Sequence, residues 1–239
     1  MTKIYEALEE AGKERGQSSP NSFSLPSSPA PKAVEEKLLA LYRRIEMALE
    51  GRQGKVIEFA AAQAGDDSSR IVISFAKLVV SRLGKKVLIL STGGPRGAGS
   101  SAITQSARGW EAVIRRECGV DDVLAPVGGT GLVAGQIASS DAGLPGMIGS
   151  PEFREILNAL RSRFDLVLLD APSIATAPTA ELLAGSVDGV VLVVEAGRTR
   201  WQVVRNAIEQ IEAQKGVVLG VVLNKVRHYI PDFIYRKLL

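Results

Sequence analysis

Five short runs, residues 56–61, 87–90, 166–169, 189–194 and 217–223, are apolar almost without interruption, and they constrain the fold more than any other feature of the chain. A strand with one wet face alternates apolar and polar residues, whereas a strand of a parallel sheet is covered on both faces and reads as a continuous apolar stretch. Helical spacing fills the gaps between the runs. Residues 35–49 place Leu38, Leu41, Ile45 and Leu49 on one face, and residues 69–82 do the same with Ile71, Phe75, Leu78 and Val79 before Gly84 closes the helix. Helices are also predicted over 110–118, over 179–184, over 201–213, and from Ser150, a cap followed by Pro151 at the first helical position, through 160–163. Residues 123–145 read as loop with a weak strand at 131–134. Alternating strands and helices of this kind predict an α/β fold: a doubly wound, mostly parallel sheet with helices on both faces.

The 239 residues suffice for one such domain plus tails, and a composition 46% apolar but only 5% aromatic suits a sheet of Val, Leu, Ile and Ala. Residues 34–227 form the predicted domain. Residues 1–15 read as a short amphipathic helix with Ile4, Leu8 and Ala11 on one face, an interaction element, and 16–33 as a Ser/Pro-rich linker. Residues 228–239 combine Ile230, Phe233, Ile234 and Leu238 with Arg236 and Lys237, the makings of a docking tail. One cysteine, Cys118, and one histidine argue against a disulfide framework and against zinc. No apolar run reaches the roughly 18 residues of a membrane span, and the polar N-terminus is no signal peptide, so a soluble, cytoplasmic protein is expected. A net charge of +3 without a basic, aromatic stripe predicts no nucleic-acid partner.

Between the first strand and its helix lies the segment 59–70, where a phosphate-binding loop would sit. Such a loop cradles phosphates with backbone N–H groups and neutralises them with a lysine. Here Gly65 is followed by Asp66, Asp67, Ser68, Ser69 and Arg70, with Ser68 at the lysine position. A lysine supplies charge-assisted hydrogen bonds worth about 1.5 to 3 kcal/mol each. Asp66 and Asp67 instead bring two negative charges beside the expected phosphates, a like-charge contact costing on the order of 1 to 4 kcal/mol. Arg70, on the outgoing helix, could replace the lysine only by folding back over the loop. A second near-match at 94–101 also lacks lysine and reads as a flexible loop.

The order of these segments, ending with Asp170-Ala171-Pro172 after one strand and Asp188-Gly189 before the next, resembles the cytoplasmic kinase domain of bacterial tyrosine kinases of polysaccharide export, within the MinD-like class of P-loop proteins. The resemblance runs from about residue 35 to 227. It implies a first loop reading Gly-Glu-Gly-Lys-Ser-Thr, a second lysine where Gln63 stands, and an Asp-x-Asp that works with magnesium where Ser91, Thr92 and Gly93 stand. It implies that Asp170 and Ser69 would hold magnesium if the metal binds, and that Asn224 lies where relatives hold adenine. It further implies a ring-forming Glu-x-x-Arg-x-x-Arg helix, matched here only by Glu36, with Leu39 and Tyr42 in place of the arginines, and a phosphorylated tyrosine tail, for which Tyr229 and Tyr235 are the candidates.

Gly65, Asp66, Asp67, Ser68, Ser69, Arg70, Asp170 and Asn224 therefore constitute a degenerate nucleotide site with no confident catalytic residue. The leading expectation is a non-catalytic, kinase-like regulatory or scaffold protein of exopolysaccharide or capsule assembly, without cofactor. Its partner would be an inner-membrane chain-length or export protein at the cytoplasmic face, with homo-oligomers and peripheral membrane contact through the tail also open. One alternative is an active autokinase using ATP or ADP with magnesium. The other is a MinD-like positioning ATPase at the membrane.

Overall fold

The computed structural model describes residues 32–92, 110–127, 131–137 and 144–226. The expected terminal helix, the linker up to residue 31, the second loop and the tail, with Tyr229 and Tyr235, lie outside them, while Lys32 and Ala33, expected to end the linker, begin the first helix. In chain order the elements are α1 (Lys32–Ala48), β1 (Lys55–Ala61), α2 (Ser68–Leu83), β2 (Val87–Ser91), α3 (Trp110–Ile114), a 3-10 turn (Val120–Val123), β3 (Leu124–Pro126), β4 (Leu132–Gln136), α4 (Leu144–Ile148), α5 (Pro151–Arg161), β5 (Leu166–Ala171), α6 (Pro178–Ala184), β6 (Gly189–Glu195), α7 (Trp201–Ala213) and β7 (Val218–Asn224). The seven strands form one sheet in the order β3-β4-β2-β5-β1-β6-β7. Every pairing is parallel except β3 with β4. The mostly parallel α/β sheet expected from the apolar runs is the fold observed.

Alternate residues of each strand feed two cores. Ile57 and Phe59 of β1 pack with Val72, Phe75 and Val79 of α2 and with Leu38 and Ile45 of α1. Val56 and Ala60 face the opposite layer, built by α4 to α7 through residues such as Phe153, Leu157, Leu183 and Ile211. Because β1, β2 and β5 are buried along their whole length, only the two ends of the sheet are open for chemistry.

Three local predictions differ from what is observed. The helix at 110–118 stops at Ile114, and Arg116 then takes a positive φ of 61° that ends helical progress. The supposed loop at 123–145 contains β3 and α4 as well as β4, all too short for periodicity to register. Helix α5 ends at Arg161, where it crosses the entry to β1. A Cβ at Gly54, which has φ +58°, would lie 1.9 Å from the Arg161 carbonyl oxygen, so only glycine permits this approach. Arg161 seals the crossing by donating to the Gly54 carbonyl at 3.0 Å and to the buried Asp188 carboxylate. Burial pushes the Asp188 carboxyl up, but donors from Arg161, the Val56 N–H and Arg52 together hold it below its usual range.

Glu58 is the anomaly of the core. It sits in the middle of β1, fully buried, and neither carboxylate oxygen has a hydrogen-bond partner among the described residues. Burial alone drives its pKa well above the ordinary 4.5. The folded state therefore holds a proton that the unfolded chain releases above pH 4.5, so stability falls with rising pH until the folded group also ionises. We expect Glu58→Leu to stabilise the protein, by a margin that grows by about 1.4 kcal/mol per pH unit above pH 4.5 over that window. Guanidinium unfolding at pH 4.5 and pH 7 measures it, and an equal margin at both would contradict the assignment.

Candidate functional site

Parallel strands deliver the ends of β1, β2, β5, β6 and β7 to one pole of the sheet, the position at which open α/β sheets place their ligand crevice. The loop after β1 begins when the Ala62 N–H donates to the Val193 carbonyl on β6 at 2.9 Å, and the Gln63 carbonyl then accepts from the Asp66 N–H at 3.3 Å. Gly65 turns with φ +96° and Asp67 with φ 60°, after which α2 starts at Ser68. Asp67 holds a left-handed conformation that glycine adopts freely and other residues rarely do. The glycine-shaped turn is thus kept by an aspartate.

Side chains brace this loop. Asp66 is fully buried, and its carboxylate accepts from the Gln63 N–H at 3.1 Å and from the Thr199 hydroxyl at 2.8 Å. Gln63, at the second-lysine position, donates through Nε2 to Thr199 Oγ1 at 3.1 Å. Asn224 donates through Nδ2 to the Asp66 carbonyl at 3.0 Å, and Lys225 Nζ reaches the Gly65 carbonyl at 3.1 Å and Glu195 at 3.0 Å. Arg198 also binds Glu195, at 3.1 Å. The expectation that Asp66 presents a free charge to a phosphate is corrected here, since both its oxygens are engaged within the loop. Asn224 is likewise committed to the backbone. Arg70 does not fold back over the loop either: it is mostly exposed and pairs with Asp67 at 3.4 Å.

Below the loop lies Asp170, at the end of β5. Ser68 Oγ stands 3.5 Å from its carboxylate and 3.5 Å from the Ala171 carbonyl. Where the resemblance implied a second carboxylate pair, Thr92 instead donates through Oγ1 to the Asp170 carbonyl at 3.1 Å. Burial raises the Asp170 pKa to about 6; hydrogen bonds from Ser69 and Ser68 work against that rise, and the Asp67 charge adds to it. Among the described residues no group of three or more His, Cys, Asp or Glu side chains is placed to hold a metal ion, and Asp170 is accompanied here by the Ser68 and Ser69 hydroxyls.

Gly65 to Arg70, Asp170 and Asn224 are thus brought to one pole. Sequence reasoning did not identify Glu195, the last residue of β6, or Arg198, Thr199 and Lys225, which follow β6 and β7. Their only signal was position, at the carboxyl ends of parallel strands.

Comparison with known proteins now places the geometry. No protein-family model matches the chain. The tyrosine-protein kinase CpsD of Streptococcus agalactiae is 24% identical over 204 residues, 84% of this chain and 88% of CpsD. The tyrosine-protein kinase YwqD of Bacillus subtilis strain 168 is 25% identical over 199 residues, 81% of this chain and 82% of YwqD. The succinoglycan biosynthesis transport protein ExoP of Rhizobium meliloti strain 1021 is 28% identical over 188 residues, which are 74% of this chain but 23% of ExoP. Among solved structures, the chimerical protein CapA2B2 superposes with a TM-score of 0.71 at 22% identity, covering 92% of this chain and 99% of that one. The cell-division ATPase MinD of Pyrococcus furiosus does so at 0.56 and 17%, covering 77% and 79%. The fold is therefore that of P-loop NTPases.

Two outcomes follow from the site. Thr199→Val leaves one oxygen of a buried carboxylate without its donor, and should cost about 1 to 3 kcal/mol in urea unfolding. For Asp170 the folded pKa of about 6 exceeds the ordinary 3.8, so its ionisation subtracts stability as pH climbs between those values. Asp170→Asn in metal-free buffer should therefore gain about 3 kcal/mol more at pH 7 than at pH 3.8. Parallel pH profiles for the two proteins would contradict this.

Proposed function

We propose that this chain is a non-catalytic, kinase-like regulatory or scaffold protein of bacterial exopolysaccharide or capsule assembly. It would act at the inner face of the inner membrane by binding a chain-length or export protein there. The observation that carries this reading is the Ser68 hydroxyl at the lysine position, 3.5 Å from the Asp170 carboxylate. A phosphate entering the loop would meet a neutral hydroxyl, with the Asp67 carboxylate beside it and Arg70 held by that carboxylate. Kinase chemistry depends on cations that neutralise charge on the transferred phosphoryl group, and the loop offers none free. The residues present therefore do not fit magnesium ATP in a catalytic pose.

Support for the pathway comes from the tyrosine kinases and the succinoglycan transport protein among its relatives. No helix among the described residues is long and apolar enough to cross a membrane, so attachment through a partner accords with the reading.

Isothermal titration with magnesium ATP and magnesium ADP tests it. The chain should give no micromolar binding, whereas Asp67→Gly combined with Ser68→Lys should recover nucleotide affinity by about tenfold or more, one or two charge-assisted bonds' worth. Micromolar ATP binding by the unaltered chain, or ATP-dependent phosphate on Tyr229 or Tyr235, would overturn the proposal.

A further inference from the structure

The opposite pole, where the strands begin, carries a cleft of about 500 Å³ that no part of the kinase-like reading uses. It lies one strand length from the candidate site, roughly 20 Å for the seven residues of β1. Six cations line it: Arg52, Lys55, Lys85, Lys86, Arg161 and Arg163. Only two carboxylates, Glu46 and Asp165, line it with them. The chain's modest net charge hides this asymmetry.

The internal ties of these cations are uneven. Arg161 is structural, fixed to Asp188 and the Gly54 carbonyl, and Lys55, nearly buried, pairs with Glu46 at 3.1 Å. Arg52 pairs with Asp188 from a side chain 58% exposed. Arg163 pairs with the exposed Asp121, and Lys85 stands 3.7 Å from Asp165, beyond a hydrogen bond. Asp165 is itself occupied, accepting the Lys86 backbone N–H at 2.8 Å. The Lys86 ammonium has no ion pair among the described residues. Against the four carboxylates that pair with them, Glu46, Asp121, Asp165 and Asp188, the six cations keep an excess of two positive charges, and a ligand with several anionic oxygens relieves it.

We propose that this cleft is a binding site for a compact oligophosphate, a pyrophosphate or tripolyphosphate group. Its volume is that of a small-molecule site. Guanidinium groups from Arg52 and Arg163 offer paired donors, while Lys85 and Lys86 offer point charges from the start of β2. The site is independent of the phosphate-loop pole and of the function proposed above.

Calorimetric titration of the full chain with sodium pyrophosphate and sodium tripolyphosphate, at low ionic strength and without divalent metal, tests it. Both should bind, tripolyphosphate more tightly, with affinity falling as KCl is added. Lys85→Gln with Lys86→Gln should weaken binding by about tenfold or more while leaving the unfolding midpoint unchanged. Arg163→Gln, whose partner is exposed, should give a separate loss. Arg70→Gln, at the other pole, should change nothing. Failure of both anions to bind at low salt would overturn the proposal. So would affinity preserved in the lysine variant, or affinity lost in Arg70→Gln.

Discussion

Complete burial of β1, β2 and β5 is the constraint from which the rest follows. A parallel strand covered on both faces leaves no room for function along its length, so polar residues collect at its ends. Carboxyl ends gather the Gly65 loop, Asp170, Glu195 and Asn224, and amino ends gather Lys55, Lys85, Lys86 and Asp188. The exception is Glu58, placed mid-strand with no partner among the described residues. Nothing in the two cores accounts for a carboxyl there.

Side chains at and beyond the ends of β6 and β7 and from the loop itself brace the loop at the carboxyl pole. In a phosphate-binding loop, inward N–H groups are satisfied by the ligand. Here the Gln63 N–H is satisfied by Asp66, and the Asp66 and Gly65 carbonyls are bound by Asn224 and Lys225. The same side chains tie β1 to the ends of β6 and β7. Loss of a ligand would then cost the loop little of its shape.

Much of the fold was legible because buried parallel strands leave a direct trace in the sequence. The runs ending at Leu169 and Val194 lie within β5 and β6. Short elements such as β3, of three residues, leave no periodic trace and were read as loop. At the site, loop residues were legible from spacing, but their environment was not. The two aspartates after Gly65 look alike in sequence; one is sealed against Thr199 and the other precedes α2 and pairs with Arg70 without a capping hydrogen bond from its side chain. That division depends on β6 returning beside β1, a contact across more than a hundred residues that no local pattern encodes.

Asp67 shows how packing can fix the outline of a turn. Its φ of 60° is a backbone state in which an aspartate is tolerated only because its short polar side chain strains less than most. It is kept because the turn must still aim α2 so that Phe75 and Val79 reach the sheet and Ser68 reaches Asp170. The turn at Asp67 is thus also the geometry that seats α2 on β1, and the packing of Phe75 and Val79 against Ile57 and Phe59 holds it in place.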